Sequence, residues 1–390
     1  MTDPVKDLEA TAREIRGDED YDEDDDEEPS FFTDPKRLLQ TFAIVLVLIV
    51  GIYVLLPNVV GLEDAIEKLG KANAAWLGVG LAFTGLMFFS YVALFRGVVG
   101  ERTRLTWRES YEITLAGLAA TRLFSAGGAG GILLTYWALR KAGMPRRESA
   151  NRMMAFLVLL YVVYLLTVLI DGILLRTGVF NGPNPPGLTV VPAVIAGGIL
   201  VLLALVTLLP SDFERRIANF ARGYRYQRWA RRLATIPATI ATGVRTSFTF
   251  VREPSRGGLA VLGAIGFWAA NIGILWASFK AFDAHIPLAV VVQGFFIGMV
   301  ANLIPFVPGG VGAVDAGMIG TFVLFGLDGA TVFAAILTYR LLAFWLPIPP
   351  GIIAFFQLRM TVNRWNEERE KGIRRPASAI HPAITSESKV

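Results

Sequence analysis

Residues 307–313 read Val-Pro-Gly-Gly-Val-Gly-Ala and interrupt a long apolar segment, 288–326. A second interruption, Ser-Ala-Gly-Gly-Ala-Gly-Gly at 125–131, lies within the apolar segment 111–139. Both contain the pattern Gly-Gly-x-Gly, and glycine and proline weaken a helix. Non-helical backbone at membrane depth is tolerated only where protein or a water-filled cavity satisfies its polar groups. A pair of such interruptions in the two halves of a membrane protein indicates a transport-type site.

The composition is typical of a polytopic membrane protein. Hydrophobic residues make up 54% of the chain and charged residues only 18%. A segment of ~20 apolar residues is needed to cross the ~30 Å hydrocarbon core of a bilayer. Uninterrupted apolar segments of about this length are predicted to span the membrane at roughly 38–57, 74–95, 153–175, 189–209, 257–280 and 330–356.

The charges of the loops predict how the chain is threaded, because Lys and Arg favour the cytoplasmic side of a membrane. Lys36 and Arg37 place the amino terminus in the cytoplasm, and the loop 210–256, with ten Arg against three acidic residues, is assigned to the same side. Basic clusters flank both ends of 111–139, so this segment is predicted to enter and leave from the cytoplasm. By the same reasoning, 288–326 begins and ends on the outer side.

The predicted fold is an all-α polytopic membrane protein in which six spanning helices are combined with two Gly-rich re-entrant helical hairpins. Each half reads span, span, hairpin, span. The halves 38–175 and 189–356 begin on opposite sides of the membrane, so they are predicted to be inverted repeats. Weak internal similarity agrees with this prediction, because one alignment superimposes Gly127 on Gly309, Gly128 on Gly310, Gly130 on Gly312 and Phe124 on Phe306.

Polar segments flank the predicted membrane domain. Residues 1–35 contain 15 acidic and 3 basic side chains, and such a self-repelling segment is expected to be disordered. We interpret it either as a solvated tail or as a regulatory segment that lies against the protein's own basic loops. The predicted domains are an acidic cytoplasmic tail, a transmembrane domain that contains the basic cytoplasmic loop, and a basic polar cytoplasmic tail, at 1–35, 36–358 (loop 210–256) and 359–390.

Four charged residues lie inside apolar segments, away from the terminal residues of these segments, where a charge costs ~2.5–3.5 kcal/mol and is a functional candidate. Arg122 and Arg340 are interpreted as ligands of an anionic phosphate headgroup, because guanidinium is permanently charged and matches phosphate bidentately. Asp315 would orient an Arg or contact a cationic part of the substrate, and Asp171 and Asp315 are the candidate proton carriers. The alternative is that Asp315–Arg340 and Asp171–Arg122 are structural ion pairs.

Backbone and amide groups complete the predicted binding site. The glycine interruptions would expose backbone N–H groups at the N-termini of half-helices, where anions bind. Asn302 precedes the second interruption and would cap it or line the cavity. Interhelical hydrogen bonding is the commoner role of such amides, Asn271 and Gln293 included. The full set of predicted substrate-binding residues is Arg122, Gly127, Gly128, Gly130, Asn302, Pro308, Gly309, Gly310, Gly312, Asp315 and Arg340.

The sequence argues against several classes of function. Cysteine is absent and the only histidines are His285 and His381, so thiolate or histidine metal sites are not expected. No Walker, Gly-x-Ser-x-Gly or His-Glu-x-x-His motif occurs, so neither enzymatic activity nor a cofactor is predicted. Basic and aromatic residues interleave in 210–256 beside membrane helices, which favours membrane lipids with anionic headgroups at the inner leaflet over nucleic acid as the partner.

The second interruption carries a resemblance to a known family. The string Pro305-Phe-Val-Pro-Gly-Gly-Val-Gly-Ala-Val-Asp315, followed by Tyr339-Arg340 and a proline-rich end of the last helix, resembles the lysylphosphatidylglycerol synthase transmembrane (flippase-like) family. The region of Arg122 and 127–131 looks like the other signature of that family. The resemblance covers roughly 38–358, and Asp315 stands where the family usually has Glu. Only about 30 residues follow Arg359, so no synthase domain is expected.

The resemblance implies that the protein translocates a lipid or lipid-linked molecule, without the synthetic step, in a bacterial or archaeal inner membrane. The candidate substrates are a phospholipid, an aminoacyl-phospholipid or a polyprenyl-phosphate-linked precursor, moved through a central cavity between the two hairpins. Without ATP motifs, movement would be passive or coupled to an ion or proton gradient. Two alternatives stay open: a non-transporting membrane scaffold or regulator of a cell-envelope enzyme, and, more weakly, an intramembrane transferase.

Overall fold

The computed structural model describes residues 70–100, 105–123, 129–206, 241–303 and 310–371, and the regular structure within these ranges is helical throughout. The all-α prediction is therefore confirmed for this part of the chain. The predicted acidic tail, the first predicted span, most of the basic loop and the residues after 371 lie outside the described ranges.

The helices follow one another along the chain as α1 (Ala74–Val99), α2 (Trp107–Leu123), α3 (Ala129–Lys141), α4 (Arg146–Arg176), α5 (Pro186–Val206), α6 (Pro254–Ala281), α7 (Leu288–Met299), α8 (Ala313–Leu324), α9 (Gly329–Arg340) and α10 (Ile348–Glu370). A 3-10 helix, Val300–Leu303, follows α7, and a π-helix, Leu341–Trp345, separates α9 from α10. Residues 241–252 are also helical.

Five helical segments of the described ranges are long and apolar enough to cross a membrane. They are α1, α4, α5, most of α6 (Gly257–Ala281) and the run Gly329–Glu370 that includes α9 and α10. Each overlaps a predicted span, which identifies a multi-pass membrane protein. The last run changes from α- to π-helix at Leu341, ahead of the proline-rich segment 347–351, where missing N–H donors weaken the helix.

Short helices flank both glycine interruptions. The first interruption is flanked by α2 and α3, with 17 and 13 residues, and the second by α7 and α8, with 12 residues each. A 12-residue helix is only about 18 Å long, which is less than the ~30 Å core of a bilayer. Helices α2 and α3 pack against each other, as do α7 and α8.

Glycine allows the backbones of these short helices to come close together. A Cβ atom on Gly131 of α3 would lie 2.4 Å from the carbonyl oxygen of Gly117 in α2. In the second pair, a Cβ atom on Gly298 of α7 would lie 2.7 Å from the Cα atom of Met318 in α8. Both distances are too short for any side chain, so the close packing in each pair requires glycine.

Two further helix pairs hold the described fold together. Helices α1 and α6 share the most extensive contact, where Gly97 of α1 and Gly263 of α6 let the two backbones approach closely. Helix α10 packs along α2, where two buried carboxylates meet donors from α10. Glu109 accepts a hydrogen bond of 2.9 Å from Nε1 of Trp365, and Glu112 accepts one of 2.7 Å from the hydroxyl of Thr361.

Candidate functional site: an arginine-lined cavity

A cavity of about 230 Å³ lies between the short helices and the spanning helices. Its walls come from α1, α2, α3, α4, α6, α8, α9 and the π-helix, with further residues from the end of α7 and the 3-10 helix. The cavity brings together Arg122 and Arg340 from the two halves of the sequence. The polar residues of its lining include Tyr91, Thr114, Thr121, Arg122, Thr135, Tyr161, Asn271, Asn302, Tyr339 and Arg340.

Arg122 lies in the last turn of α2, beside the first glycine interruption. Its Nη2 atom donates a hydrogen bond of 2.8 Å to the backbone carbonyl of Ala343 in the π-helix. Its Nη1 atom is buried and has no hydrogen-bond partner among the described residues, and no acidic residue of those ranges pairs with the guanidinium. Burying a charged N–H group such as Nη1 without an acceptor is costly, so this position favours an anionic ligand.

Arg340 is held differently, by a buried ion pair with Asp315 through its Nε atom. Its Nη2 atom also donates a hydrogen bond of 3.1 Å to the carbonyl of Gly310. The other carboxylate oxygen of Asp315 accepts a hydrogen bond of 2.9 Å from the backbone N–H of Gly312, at the start of α8. Asp315 therefore compensates the charge of Arg340 and joins it to the backbone of the second glycine interruption, as the ion-pair alternative describes.

Gly310 and Gly312 adopt backbone conformations that suit glycine. Their φ angles are +65° and +81°, in the left-handed region that other residues rarely occupy. These conformations turn the chain so that the carbonyl of Gly310 faces Arg340 while the N–H of Gly312 faces Asp315. The glycines thus position the ion pair at the entrance to α8.

Phe344 contacts both arginines of the cavity. The guanidinium carbon of Arg340 lies 5.1 Å from the centre of the Phe344 ring, and that of Arg122 lies 5.6 Å from it. An aromatic face attracts cations within about 6 Å, so this ring stabilises two side chains of like charge in one cavity.

Two amide side chains supply the neutral polar groups near the arginines. Asn271 of α6 accepts a hydrogen bond of 3.3 Å from the hydroxyl of Tyr339, and its own amide donates to the carbonyl of Phe267. Asn302 is exposed within the 3-10 helix and lines the cavity. Gln293, the third amide noted in the sequence, donates a hydrogen bond of 2.8 Å to Leu188 of α5, which is an interhelical contact.

The remaining predicted site residues are distributed as follows. Gly130 lies in α3, whereas Gly127, Gly128, Pro308 and Gly309 lie outside the described residues. Asp171 of α4 is buried, does not line the cavity and forms no ion pair with Arg122. Its Oδ2 atom has no hydrogen-bond partner within the described ranges.

Aromatic residues make a larger part of the site than the sequence indicates. Tyr91, Tyr161 and Phe344 line the cavity but are not among the predicted site residues. Phe344 follows Arg340 by four residues, and residues at this spacing lie on one face of a helix, so the contact could have been predicted from the sequence. No sequence pattern marks Tyr91 or Tyr161 as a cavity residue, since a tyrosine in an apolar segment more often packs within a core.

The spanning helices and the arginine-lined cavity define the class of this molecule: a multi-pass helical membrane protein with a polar site inside its helical core. Residues 38–351 match the family described as "Lysylphosphatidylglycerol synthase TM region". The chain belongs to this family. The resemblance noted in the sequence is thereby confirmed.

Three UPF0104 membrane proteins of Methanothermobacter thermautotrophicus (strain Delta H) are similar to parts of the chain. The first is 33% identical over 87 residues, which are 22% of this chain and 26% of the relative. The second is 25% identical over 118 residues, which are 29% of this chain and 35% of the relative. The third is 26% identical over 91 residues, which are 23% of this chain and 26% of the relative. The aligned part thus spans about a quarter to a third of the length of these relatives.

Proposed function

We propose that this protein moves a lipid or lipid-linked molecule between the two leaflets of a membrane and binds the anionic headgroup in the cavity at Arg122. The main support for this function is that Arg122 lacks partners, among the described residues, for its charge and for one of its hydrogen-bond donors. It lines the cavity, one of its nitrogen atoms is buried without a hydrogen-bond partner, and it has no acidic partner within the described ranges. A phosphate supplies both the missing acceptor and the missing charge.

Arg340 has a second role in this proposal. Because Asp315 already compensates its charge, Arg340 contacts the headgroup as a secondary ligand and mainly holds the second interruption in place. The candidate substrates are a phospholipid, an aminoacyl-phospholipid or a polyprenyl-phosphate-linked precursor.

The short helix pairs are the proposed gates. We assign α2–α3 and α7–α8 to two re-entrant hairpins that belong to inverted repeats and enter from opposite sides. Their short lengths and their glycine contacts support this assignment. Residues of both pairs line the same cavity, Gly131 from the first and Val314 from the second.

The proposal places the protein in a prokaryotic cytoplasmic membrane with both termini in the cytoplasm, where its basic segments attract anionic lipids. It involves no chemical reaction, cofactor or nucleic acid. Movement is passive or driven by a gradient. Asp171 is the better candidate for a proton carrier, because Asp315 is paired with Arg340.

Lipid exchange between leaflets tests the proposal. The purified protein is placed in liposomes with fluorescent phospholipids, with and without a pH gradient, and loss of the outer-leaflet signal after addition of an impermeant quencher is followed. We expect exchange with the wild-type protein and none above protein-free liposomes with Arg122→Gln. Arg176→Gln, at the exposed end of α4, is the matched control and keeps wild-type exchange. Equal exchange by the wild type and Arg122→Gln contradicts the proposal and favours the scaffold alternative.

A further inference from the structure

The lining of the cavity has one charge type only. Arg122 and Arg340 line it, and the described part of the lining contains no Asp, Glu or Lys side chain. Asp315 pairs with Arg340, whereas no acidic residue of the described ranges pairs with Arg122, so the charge of Arg122 is uncompensated within the described lining.

This charge distinguishes among the candidate headgroups. A lysylated phosphatidylglycerol carries two ammonium groups against one phosphate, so it brings net positive charge to a site that is already positive. No carboxylate of the described lining is present to pair with these ammonium groups. A headgroup with one phosphate and an otherwise neutral body matches the single uncompensated charge.

The uncharged residues of the lining indicate the chemistry of the neutral part of the headgroup. Asn302 provides an amide, and Asn271 keeps one N–H and one oxygen lone pair beyond its hydrogen bonds to Phe267 and Tyr339. The hydroxyl oxygens of Thr114, Thr121 and Thr135 also line the cavity and can accept hydrogen bonds. Aromatic rings face the same space, among them Trp268. Amides and hydroxyls bind hydroxyl groups, while aromatic rings pack against the apolar C–H face of a sugar ring. Few lipid headgroups other than sugars present both surfaces at once.

We propose that the ligand of this cavity is the headgroup of a lipid phosphate that carries a neutral sugar. Arg122 binds the phosphate, and Asn271 and Asn302 bind hydroxyl groups of the sugar. The inference rests on the proposed function and narrows its substrate class, and it assigns the preference for sugar to the two asparagines rather than to the arginines.

Binding to the full chain in detergent micelles or nanodiscs tests the inference. The probes are a short-chain polyprenyl phosphomannose, the matching polyprenyl phosphate, phosphatidylglycerol, lysyl-phosphatidylglycerol and water-soluble mannose 1-phosphate. We expect the phosphomannose lipid to bind with a Kd about tenfold lower than the bare polyprenyl phosphate, the size of effect that one to two hydrogen bonds give. We expect lysyl-phosphatidylglycerol to bind weakest of the lipids.

Two variants separate the parts of the site. Asn271→Leu and Asn302→Ala are each expected to remove most of the preference for the phosphomannose lipid while the Kd for bare polyprenyl phosphate stays within about twofold of wild type. Arg122→Gln is expected to weaken both lipids together. The thermal midpoint of each variant, measured without ligand, shows that the variant is folded. If both asparagine variants lose the same preference, a local distortion in one of them does not explain the loss.

Each other outcome has a definite meaning. Equal Kd values for all anionic lipids, with wild-type behaviour of both asparagine variants, overturn the sugar inference and leave the proposed function intact. Tightest binding of lysyl-phosphatidylglycerol also overturns the inference. Mannose 1-phosphate binding as tightly as the lipid supports the headgroup chemistry and contradicts lipid translocation. Binding of none of the probes contradicts both proposals.

Discussion

Arg122 donates a hydrogen bond of 2.8 Å to the backbone carbonyl of Ala343, so the end of α2 is joined directly to the π-helix in the last membrane segment. In this π-helix the N–H of Leu346 bonds to the carbonyl of Leu341, five residues earlier. Pro347, four residues after Ala343, has no N–H, so the carbonyl of Ala343 lacks its α-helical donor and accepts from the side chain of Arg122. An anion that binds Arg122 therefore acts where the end of α2 contacts the π-helix that precedes α10.

The chemistry of Arg122 makes its replacement by lysine informative. Arg122→Lys keeps the charge but loses the planar fork that can donate to Ala343 and to a second acceptor at the same time. We expect lipid exchange to fall by about tenfold in Arg122→Lys, between wild type and the inactive Arg122→Gln, a loss of the order expected for one charge-assisted hydrogen bond. The liposome exchange rate is the measurement, and Arg176→Lys is the matched control. Full activity in Arg122→Lys would show that charge alone is sufficient.

The ion pair between Arg340 and Asp315 is expected to affect folding strongly. Arg340→Met leaves the Asp315 carboxylate buried without its cation, which costs about 3–5 kcal/mol of unfolding free energy. The double variant Arg340→Met/Asp315→Asn removes the stranded charge, so it is expected to be more stable than Arg340→Met alone.

Denaturant unfolding in mixed micelles measures both free energies. The exposed pair of Lys371 and Glu367 gives the control, since Lys371→Met is expected to change the free energy of unfolding by less than about 0.5 kcal/mol. If the double variant is as unstable as the sum of its single variants, the pair has no coupling and the expected mechanism is wrong.

The sequence predicts the spanning helices well because hydropathy and length are local properties. The ends of α1, α4, α5 and α6 lie close to the predicted segments, and the short helices lie where the glycine interruptions divide the apolar segments. The sequence also identifies Arg122 and Arg340, because a charge in an apolar segment is conspicuous. The first predicted span, at 38–57, lies outside the described residues and stays a prediction.

The partners of the polar residues could not be predicted in the same way. Glu109 and Glu112 are buried, although they lie at the charged end of α2, because Trp365 and Thr361 reach them from a helix more than 240 residues later. The sequence likewise offers Asp315–Arg340 and Asp171–Arg122 as ion pairs without showing whether either of them forms. Only the three-dimensional arrangement places Asp315 beside Arg340 and Asp171 away from the cavity lining.

The contact between Trp365 and Glu109 predicts a role for α10 in stability. Trp365→Phe keeps an aromatic ring but removes both the Nε1–H donor to a buried carboxylate and part of the buried indole, so we expect a loss of about 1.5–3 kcal/mol of unfolding free energy. Trp107→Phe makes the same change at a residue that is 47% exposed, so it is the control and is expected to cost less than about 1 kcal/mol. Equal losses in the two variants would mean that the hydrogen bond to Glu109 contributes nothing beyond the ring.

The close packing of α1 against α6 gives a prediction with a control on the same helix. A Cβ atom on Gly263 would lie 2.3 Å from the backbone nitrogen of Leu94, whereas a Cβ atom on Gly258 would meet nothing within 4 Å. Backbone cannot move aside as the end of a side chain can, so Gly263→Ala must push the two helices apart. We expect this variant to lose about 1–3 kcal/mol of unfolding free energy.

Gly258→Ala is expected to leave stability unchanged or to raise it by up to about 1 kcal/mol, because alanine favours the helix and no contact opposes it. Thermal unfolding in detergent, followed by circular dichroism, compares the two variants with wild type. Helix propensity changes in the same direction in both variants, so opposite signs of the two stability changes show the contribution of packing. A Gly263→Ala protein as stable as Gly258→Ala would show that α1 and α6 do not pack at backbone contact.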